Sequence, residues 1–348
     1  MIARMADGLL ERLARGPVVC AEGYLFELER RGYVQAGAFV PEVVLDHPEV
    51  VAQLHRDFVH AGSDVVEAFT YYGHREKMRI VGKEHLLEAL NTQALEIAKE
   101  VAAESGALVA GDTCNTNLFE DDEASKRTVR SMFEEQVGWA ADAGVDYVVA
   151  ETFSHLGEAL IALEVIKQAG LPAVVTLTVH QAPRTRDGFE LDDACRRLEA
   201  AGADVVGLNC GRGPATLLPL LGAIREAVSG HVAALPVPYR THESQPTFQS
   251  LRDSQDGVVP GGMPFPTALE PFMCNRYEIA EFARAAREIG IDYLGLCCGA
   301  GPHHIRSLAE ALGRTPPASK YSPDMSKHAY FGTDESLKDE NVEFAKEL

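Results

Sequence analysis

Short runs of apolar, often β-branched residues recur along the chain, separated by longer segments in which apolar positions follow a helical spacing. Runs of roughly four to eight such residues are typical of strands, and longer stretches with a 3.6-residue period indicate amphipathic helices. The pattern predicts eight strands, at residues 18–23, 64–69, 107–112, 146–153, 173–179, 204–210, 232–237 and 292–298. Because these strands are apolar almost throughout, we expect a parallel sheet covered on both faces.

The segments between the predicted strands carry the helices. The clearest of them are residues 91–102, 125–143, 157–167, 191–201 and 277–289. Several end in an Ala-Gly pair, and glycine suits the C-terminus of a helix. Eight strand–helix units predict a closed (β/α)8 TIM barrel rather than an open doubly wound sheet. No glycine fingerprint for a dinucleotide phosphate follows the first strand, which also disfavours the open sheet.

The end of the chain departs from this alternation. The barrel is predicted to span residues 1–314. Residues 315–348 begin Thr-Pro-Pro-Ala-Ser-Lys and are predicted to form a C-terminal extended tail with a short acidic helix, packing on the barrel or on a partner subunit. In a TIM barrel the loops after the strands form the ligand site, so the long connection at 32–42 and the Gly- and Pro-rich stretch at 239–270 are expected there.

Charge and cysteine content narrow the class of partners. The formal net charge is −20, which argues against nucleic acid or an anionic membrane surface. The N-terminal residues 1–16 lack the apolar core of a secretory signal, and no run approaches the roughly 20 apolar residues of a membrane span. The seven cysteines are scattered without a disulfide framework, so a cytoplasmic protein is predicted.

Three of the cysteines are expected to meet. Cys210 ends the sixth predicted strand, and Cys297 and Cys298 end the eighth. Only one strand separates these two in a closed barrel, so the three thiols converge at one rim and suit Zn²⁺ with a fourth position open for a substrate. The alternatives are buried packing cysteines, which are common, and a structural zinc site closed by a fourth protein ligand.

The segments around these cysteines resemble the homocysteine S-methyltransferase family, and the closest resemblance is to its betaine–homocysteine branch. The segments are Gly207-Leu-Asn-Cys-Gly-Arg-Gly-Pro214 and Gly295-Leu-Cys-Cys-Gly-Ala-Gly-Pro302, with further matches at 26–37, 47–58, 61–72 and 146–153. The resemblance implies a zinc TIM barrel in which the three cysteines hold the metal. Homocysteine would bind with its thiol at the open position and would receive a methyl group from an onium donor.

The resemblance also implies where the acceptor amino acid binds. Glu151, at the end of the fourth strand, would hold the ammonium group, with Glu22 and Gly23 beside it after the first strand. The family usually has Asp-Gly-Gly or Asp-Gly-Ala at the first strand, whereas this chain has Ala21-Glu22-Gly23. The acidic residue, Glu22, therefore stands one position later than the family's aspartate. A thiol other than homocysteine is for this reason kept as an alternative acceptor.

Aromatic residues are the candidates for the donor site. Tyr72 matches a donor-pocket tyrosine of the family, and Phe39 stands where the betaine enzymes carry tryptophan. An aromatic cage attracts a trimethylammonium or sulfonium group. Glycine betaine is the predicted donor, with dimethylsulfoniopropionate, S-methylmethionine or another betaine as alternatives. A non-catalytic zinc-containing binding protein is the rival class. A homo-oligomer stays open, although most of the dimerisation arm that the animal betaine enzymes carry is missing between residues 315 and 327.

Overall fold

The strands lie where the apolar runs predict them. The computed structural model describes residues 7–253, 259–334 and 339–348. Eight strands form one parallel sheet: β1 (Val18–Ala21), β2 (Val65–Glu67), β3 (Leu108–Cys114), β4 (Tyr147–Phe153), β5 (Ala173–Leu177), β6 (Val205–Asn209), β7 (His231–Leu235) and β8 (Tyr293–Leu296). From β2 to β8 each strand pairs with the next one along the chain, and β1 pairs with β8. The predicted TIM barrel is therefore confirmed.

The barrel is nearly closed between β1 and β2. Asp64, just before β2, donates its backbone N–H to the carbonyl of Val19 at 2.8 Å, and its carboxylate accepts the N–H of Val19 at 2.8 Å. Arg314, at the end of the predicted barrel domain, binds the same carboxylate and the carbonyl of Pro17. Side-chain and backbone bonds together therefore join the first two strands.

Helices surround the sheet as predicted. They are α1 (Leu9–Leu13), α2 (Tyr24–Arg30), α3 (Val43–Asp46), α4 (Pro48–Ala61), α5 (Arg75–Ile80), α6 (Leu87–Ser105), α7 (Glu123–Ala143), α8 (Leu156–Gln168), α9 (Leu191–Ala200), α10 (Pro214–Ala227), α11 (Arg276–Glu288), α12 (Pro302–Ala311) and α13 (Asp339–Ala345). Gly62, Gly106 and Gly144 end α4, α6 and α7 in the left-handed conformation that glycine adopts without strain. No helix in the described part of the chain is long and apolar enough to cross a membrane.

Six strands end earlier than predicted, and at three of them the difference affects the site. The strand β1 ends at Ala21, β6 at Asn209 and β8 at Leu296. Cys210, Cys297 and Cys298 therefore lie in the turns after the strands and not on the pleated sheet. The alternation of faces that a strand would impose on two adjacent cysteines does not apply to them.

The interior of the barrel is filled below this rim. The strand residues that face inward are apolar and buried, and the hydroxyl groups of Tyr147 and Tyr293 hydrogen-bond across the interior at 2.9 Å. Alternate residues of a strand share a face. The inward series Val18–Cys20 and Tyr147–Val149 therefore continue to Glu22 and Glu151, whose carboxyl groups are buried at the rim.

A buried histidine on α4 makes the fold sensitive to acid. His55 is 1% exposed, and its ring packs edge-on against Tyr24 with 4.8 Å between centroids. Burial lowers the pKa of His55 to about 3 from its ordinary 6.5. The folded protein keeps the ring neutral while the unfolded chain protonates it. The stability is thus fully present above pH 6.5 and falls as the pH drops towards 3.

We expect this one side chain to cost about 2 kcal/mol of unfolding free energy between pH 8 and pH 5. A His55→Phe variant keeps the ring packing and removes the titration, so its stability should fall by that much less over the same range. Urea denaturation of both proteins at the two pH values measures the difference. Equal losses in wild type and variant would contradict this role of His55.

Candidate active site

Two groups of chemically different side chains face each other at the carboxyl ends of the strands. The carboxyl groups follow the first half of the barrel, after or at the ends of β1 to β4: Glu22, Glu67, Asp112 and Glu151. The thiols follow the second half, after β6 and β8: Cys210, Cys297 and Cys298. All seven side chains are buried. In a TIM barrel this end of the sheet carries the active site.

The three predicted thiols converge. The sulfur atoms of Cys210, Cys297 and Cys298 all lie within 4.8 Å of one another. The turns make this possible: Cys210 has a φ of 53°, and Gly299, directly after the cysteine pair, has a φ of 94°. A side chain at Gly299 would also meet the hydroxyl group of Tyr239 at 2.1 Å. The turn therefore requires glycine for two reasons, its backbone angle and its close contact.

These thiols fit a soft, thiolate-binding metal ion. Hydrogen bonds donated by Cys297 and Cys298 lower the pKa of Cys210 well below its ordinary value. Burial raises the pKa of Cys297. The cluster thus holds one thiolate readily and resists two more without a cation. Three sulfurs at this separation, with exposures of 7%, 2% and 7%, could serve together as ligands of one zinc ion.

Asn209 connects the thiols to the carboxyl groups, and the sequence did not single it out. Its amide nitrogen donates to Glu151 at 2.5 Å and lies 3.4 Å from Glu22. Its amide oxygen accepts the N–H of Thr152 at 2.9 Å. The hydroxyl group of Thr152 donates to Glu151 at 2.8 Å. Glu151, predicted to hold the acceptor ammonium group, is therefore fixed in orientation beside Cys297.

Both predicted acceptor-binding acids are strongly perturbed. Burial raises the pKa of Glu151 to about 8, with a smaller contribution from the nearby thiolate of Cys210. Burial raises the pKa of Glu22 well above its ordinary value, and the negative charge of Glu151 adds to the effect. One oxygen of Glu22, Oε1, has no hydrogen-bond partner. A positively charged ligand would therefore stabilise the ionised form of both carboxyl groups.

Gly23 forms the bend between Glu22 and α2. A side chain at this position would lie 2.2 Å from the carbonyl oxygen of Ala300, in the turn that carries the cysteine pair. The absence of a side chain thus allows the turn after β1 to contact the turn after β8. The structure places Gly23 at the rim beside Glu22, where the sequence predicts it.

The predicted donor residues line the same pocket as two of the thiols. A pocket of about 200 Å³ contains Phe39, Tyr72, Cys210 and Cys298 in its wall. Its other aromatic side chains are Phe26, Tyr71, Phe248 and Phe265. These rings contact one another: Phe26 lies 5.6 Å from Phe39 and 6.0 Å from Phe248, between centroids. The aromatic surface is therefore larger than Tyr72 and Phe39 alone.

Backbone strain is concentrated in this pocket. Among the described residues, the non-glycine positions with positive φ are Phe39, Tyr72, Asn117, Thr152 and Cys210, with φ between 51° and 63°. Every one of them lines the pocket. Such conformations cost of order 1–3 kcal/mol each and tend to occur at functional sites. The clustering therefore supports this pocket as the functional site, independently of the roles predicted from the sequence.

Four site residues were missed from sequence: Asn209, Glu67, Asp112 and Arg186. Glu67 and Asp112 follow the inward series Val65 and Leu108–Ala110, so strand alternation was the signal that could have found them. Strand alternation also places Asn209 inside the barrel, because it follows the inward-facing Val205 on β6. Arg186 lies in the loop between β5 and α9, where the sequence has no periodic pattern to predict a side-chain position.

Comparisons with known proteins identify the family of this chain. The family model for homocysteine S-methyltransferase matches residues 21–312. The S-methylmethionine–homocysteine S-methyltransferase of Mus musculus is 36% identical over 341 residues, covering 95% of this chain and 87% of the mouse protein. Betaine–homocysteine S-methyltransferase 1 of Xenopus tropicalis is 36% identical over 337 residues, covering 94% and 80%.

A solved structure shows the same fold. It is the metallated form of the homocysteine methyltransferase MmuM from Escherichia coli, with a TM-score of 0.67 and 18% identity, covering 87% of this chain and 99% of that one. The family match spans most of the chain and includes the turns that carry the thiols and the acids. The chain is a methyltransferase and belongs to the homocysteine S-methyltransferase family.

Proposed function

We propose that the protein is a zinc-dependent S-methyltransferase that moves a methyl group from a carboxylated onium donor, glycine betaine first, to the thiol of homocysteine, giving methionine. One observation carries the proposal. Three buried thiols lie between an aromatic-walled pocket and a cluster of carboxyl groups. This arrangement suits a cationic methyl donor on one side and an ammonium-bearing thiol on the other.

Cys210, Cys297 and Cys298 would hold the zinc ion. A zinc ion held there would keep the thiol of the acceptor deprotonated at neutral pH. The acceptor sulfur then forms a bond to the methyl carbon while the carbon–nitrogen bond of the donor breaks, and its electron pair leaves with the amine. The protein contributes the alignment of the two substrates and the exclusion of water.

Glu151 and Glu22 would hold the acceptor's ammonium group, with Gly23 at the bend beside them. Glu151 is held in place by Asn209 and Thr152. A fixed acceptor amino group would set the position of the thiol four bonds away, next to Cys297. The buried carboxylates strengthen this contact because little water competes for it.

Tyr72 and Phe39 would face the onium group of the donor. Aromatic faces attract a methylated cation that can accept no hydrogen bond. One face of the Tyr72 ring is already covered by the ammonium group of Lys77, at 4.6 Å from the centroid. The phenylalanines at 26, 39, 248 and 265 therefore provide most of the aromatic surface that remains for the donor.

Arg186 is the proposed partner of the donor's carboxylate. It is the single lysine or arginine among the described residues that line the pocket. Burial lowers the pKa of His180, which also lines the pocket, so that ring stays neutral at pH 7. Betaines, dimethylsulfoniopropionate and S-methylmethionine all carry a carboxylate that this guanidinium group can bind.

We expect Arg186→Gln to raise the KM for the donor about fivefold, a modest effect because the side chain is exposed. The kcat and the KM for homocysteine should stay unchanged, and Arg186→Lys should retain most of the donor affinity. The matched control is Arg184→Gln, an exposed arginine two residues away that does not line the pocket. A donor KM that is the same in the 184 and 186 variants would remove Arg186 from the site.

A donor screen tests the proposed function. Zinc-loaded protein is incubated with homocysteine and each of glycine betaine, dimethylsulfoniopropionate and S-methylmethionine, and methionine is quantified by mass spectrometry. The highest kcat/KM identifies the donor, and glycine betaine is expected. The same donors are also offered with a second thiol in place of homocysteine, and turnover only with that thiol would establish a different acceptor. Binding of donor and thiol without any turnover would establish the rival, a zinc-containing binding protein.

The tail is proposed to be a separate unit from the barrel domain, which ends at residue 314. Its first turn, Pro317–Tyr321, packs against α4 and α12, with Ala318 buried. Beyond it, exposed apolar side chains such as Met325 and Phe331 are available to a second copy of the chain. Light scattering that gives a dimer or larger mass would support a homo-oligomer, and a monomer mass would exclude it. Seven free thiols support a reducing, cytoplasmic setting.

A further inference from the structure

More carboxyl groups converge at the rim than one amino group needs. Glu22, Glu67, Asp112 and Glu151, here called the acid quartet, are 6%, 3%, 6% and 4% exposed. They come from four consecutive strand ends and surround one narrow cavity with room for about a single water-sized body. The proposed function uses only Glu22 and Glu151. Glu67 and Asp112 have no part in it.

The quartet has only neutral hydrogen-bond partners. Glu67 accepts from the thiol of Cys20 at 3.4 Å, and Asp112 accepts from the hydroxyl group of Thr70 at 3.4 Å. Glu151 and Glu22 share Asn209. Among the described residues, no lysine, arginine or histidine forms an ion pair with any of the four.

Two oxygen atoms of the quartet have no partner at all. They are Oε1 of Glu22 and Oδ1 of Asp112, both buried against the cavity. A buried carboxylate without a partner is costly, and several together repel one another. Burial, followed by the charges of the neighbouring acids, raises the pKa of Glu67 well above its ordinary value. A cation in the cavity removes both penalties.

The geometry specifies the kind of cation. One carboxyl oxygen each from Glu67, Asp112 and Glu151 lies within 4.8 Å of the other two, which allows all three to reach one ion. Oxygen ligands of this type favour hard divalent ions such as Mg²⁺, Mn²⁺ or Ca²⁺, in contrast to the soft thiol cluster beside them. We propose that Glu67, Asp112 and Glu151 bind a hard divalent cation, separate from the zinc site of the three cysteines.

This second site leaves the amino group of the acceptor with Glu22 and the second oxygen of Glu151. An ammonium group has one positive charge and three hydrogens, which two carboxylates satisfy. It does not balance four. A divalent cation on Glu67, Asp112 and Glu151 would offset two of the three negative charges that the ammonium group leaves, and would also hold Glu151 in place. The inference depends on metal binding at the quartet and does not depend on which methyl donor is used.

Manganese provides the test. Mn²⁺ binds thiolates more weakly than Zn²⁺, so it does not displace zinc from the cysteines. Protein loaded with one equivalent of zinc is titrated with Mn²⁺, and free Mn²⁺ is measured by electron paramagnetic resonance. One bound Mn²⁺ per chain is expected. Asp112→Asn and Glu67→Gln should each weaken Mn²⁺ binding at least about tenfold while the zinc content stays at one equivalent, which also shows that the rim is intact.

The matched control is Glu158→Gln. Glu158 is a buried glutamate on α8, 1% exposed and hydrogen-bonded to Thr116, outside the quartet. The Glu158→Gln variant should bind Mn²⁺ as tightly as the wild type. Mn²⁺ that stays bound in saturating homocysteine supports the second site. Absence of Mn²⁺ binding at millimolar concentrations, equal affinity in the quartet variants, or one-for-one displacement by homocysteine would overturn it. None of these readouts uses methyl transfer, so failure here is distinct from failure of the proposed function.

Discussion

Replacing Cys298 with alanine is expected to remove the bound zinc and to lower the rate of methyl transfer at least about a thousandfold. Cys298 belongs to the thiol cluster and, like Cys210, also lies in the wall of the aromatic pocket. With two thiols left, the metal is lost or loosely held. The acceptor then reacts as a free thiol, which is mostly protonated at neutral pH.

Cys195→Ala is the control for this variant. Cys195 is fully buried in α9, outside the thiol cluster, so its replacement measures the effect of losing a buried thiol alone. Zinc content is measured by inductively coupled plasma mass spectrometry, and activity by methionine formation. The account expects one zinc and near-normal activity in the control. Full activity in Cys298→Ala after zinc removal would show that transfer does not use the cluster.

Glu151→Gln is expected to raise the KM for homocysteine about a hundredfold, because removing one partner of a buried charged pair costs several kcal/mol. The amide keeps the shape of the side chain and its contact with Thr152. It also presents N–H groups to the ammonium ion, which repel it. Zinc content should stay at one equivalent, so the loss would concern substrate binding. The KM for the donor should change little.

Glu158→Gln serves as the control for this prediction as well, since it exchanges a buried glutamate on the neighbouring helix α8. Initial rates at varied homocysteine and saturating donor give the two KM values. A homocysteine KM that is unchanged in Glu151→Gln would place the acceptor's amino group elsewhere. A rise in both variants would point to a general effect on the barrel.

The barrel and the thiol cluster follow from local sequence features. Eight apolar runs separated by helical segments define the strands. Because the carboxyl ends of the strands of a TIM barrel share one rim, the sequence alone predicts that Cys210, Cys297 and Cys298 lie close together. What could not be predicted is how three sulfurs from two turns reach one point. That depends on a φ of 53° at Cys210, and a non-glycine residue gives no sequence sign of this conformation.

The aromatic wall shows a second limit. Phe248 and Phe265 reach the pocket from the long stretch at 239–270, which the sequence could assign to the ligand-binding face but not fold in detail. Glu67 and Asp112 are a different case. Both lie in predicted strands, and strand alternation places them inside the barrel, yet an inward carboxyl group is unexpected where the neighbouring inward residues are apolar. The hydrophobic pattern of the strands does not explain a carboxyl group at these two positions, whereas the chemistry of the site does.

The central claim is that the three cysteines hold zinc with one position open for the acceptor's thiol. X-ray absorption at the zinc edge, recorded on the zinc-loaded protein with and without homocysteine, tests this most directly. Three sulfur ligands and one lighter ligand are expected in the absence of homocysteine, and four sulfur ligands in its presence. A sulfur count that does not change on adding homocysteine, with a fourth ligand supplied by the protein, would show a structural zinc site and contradict the account.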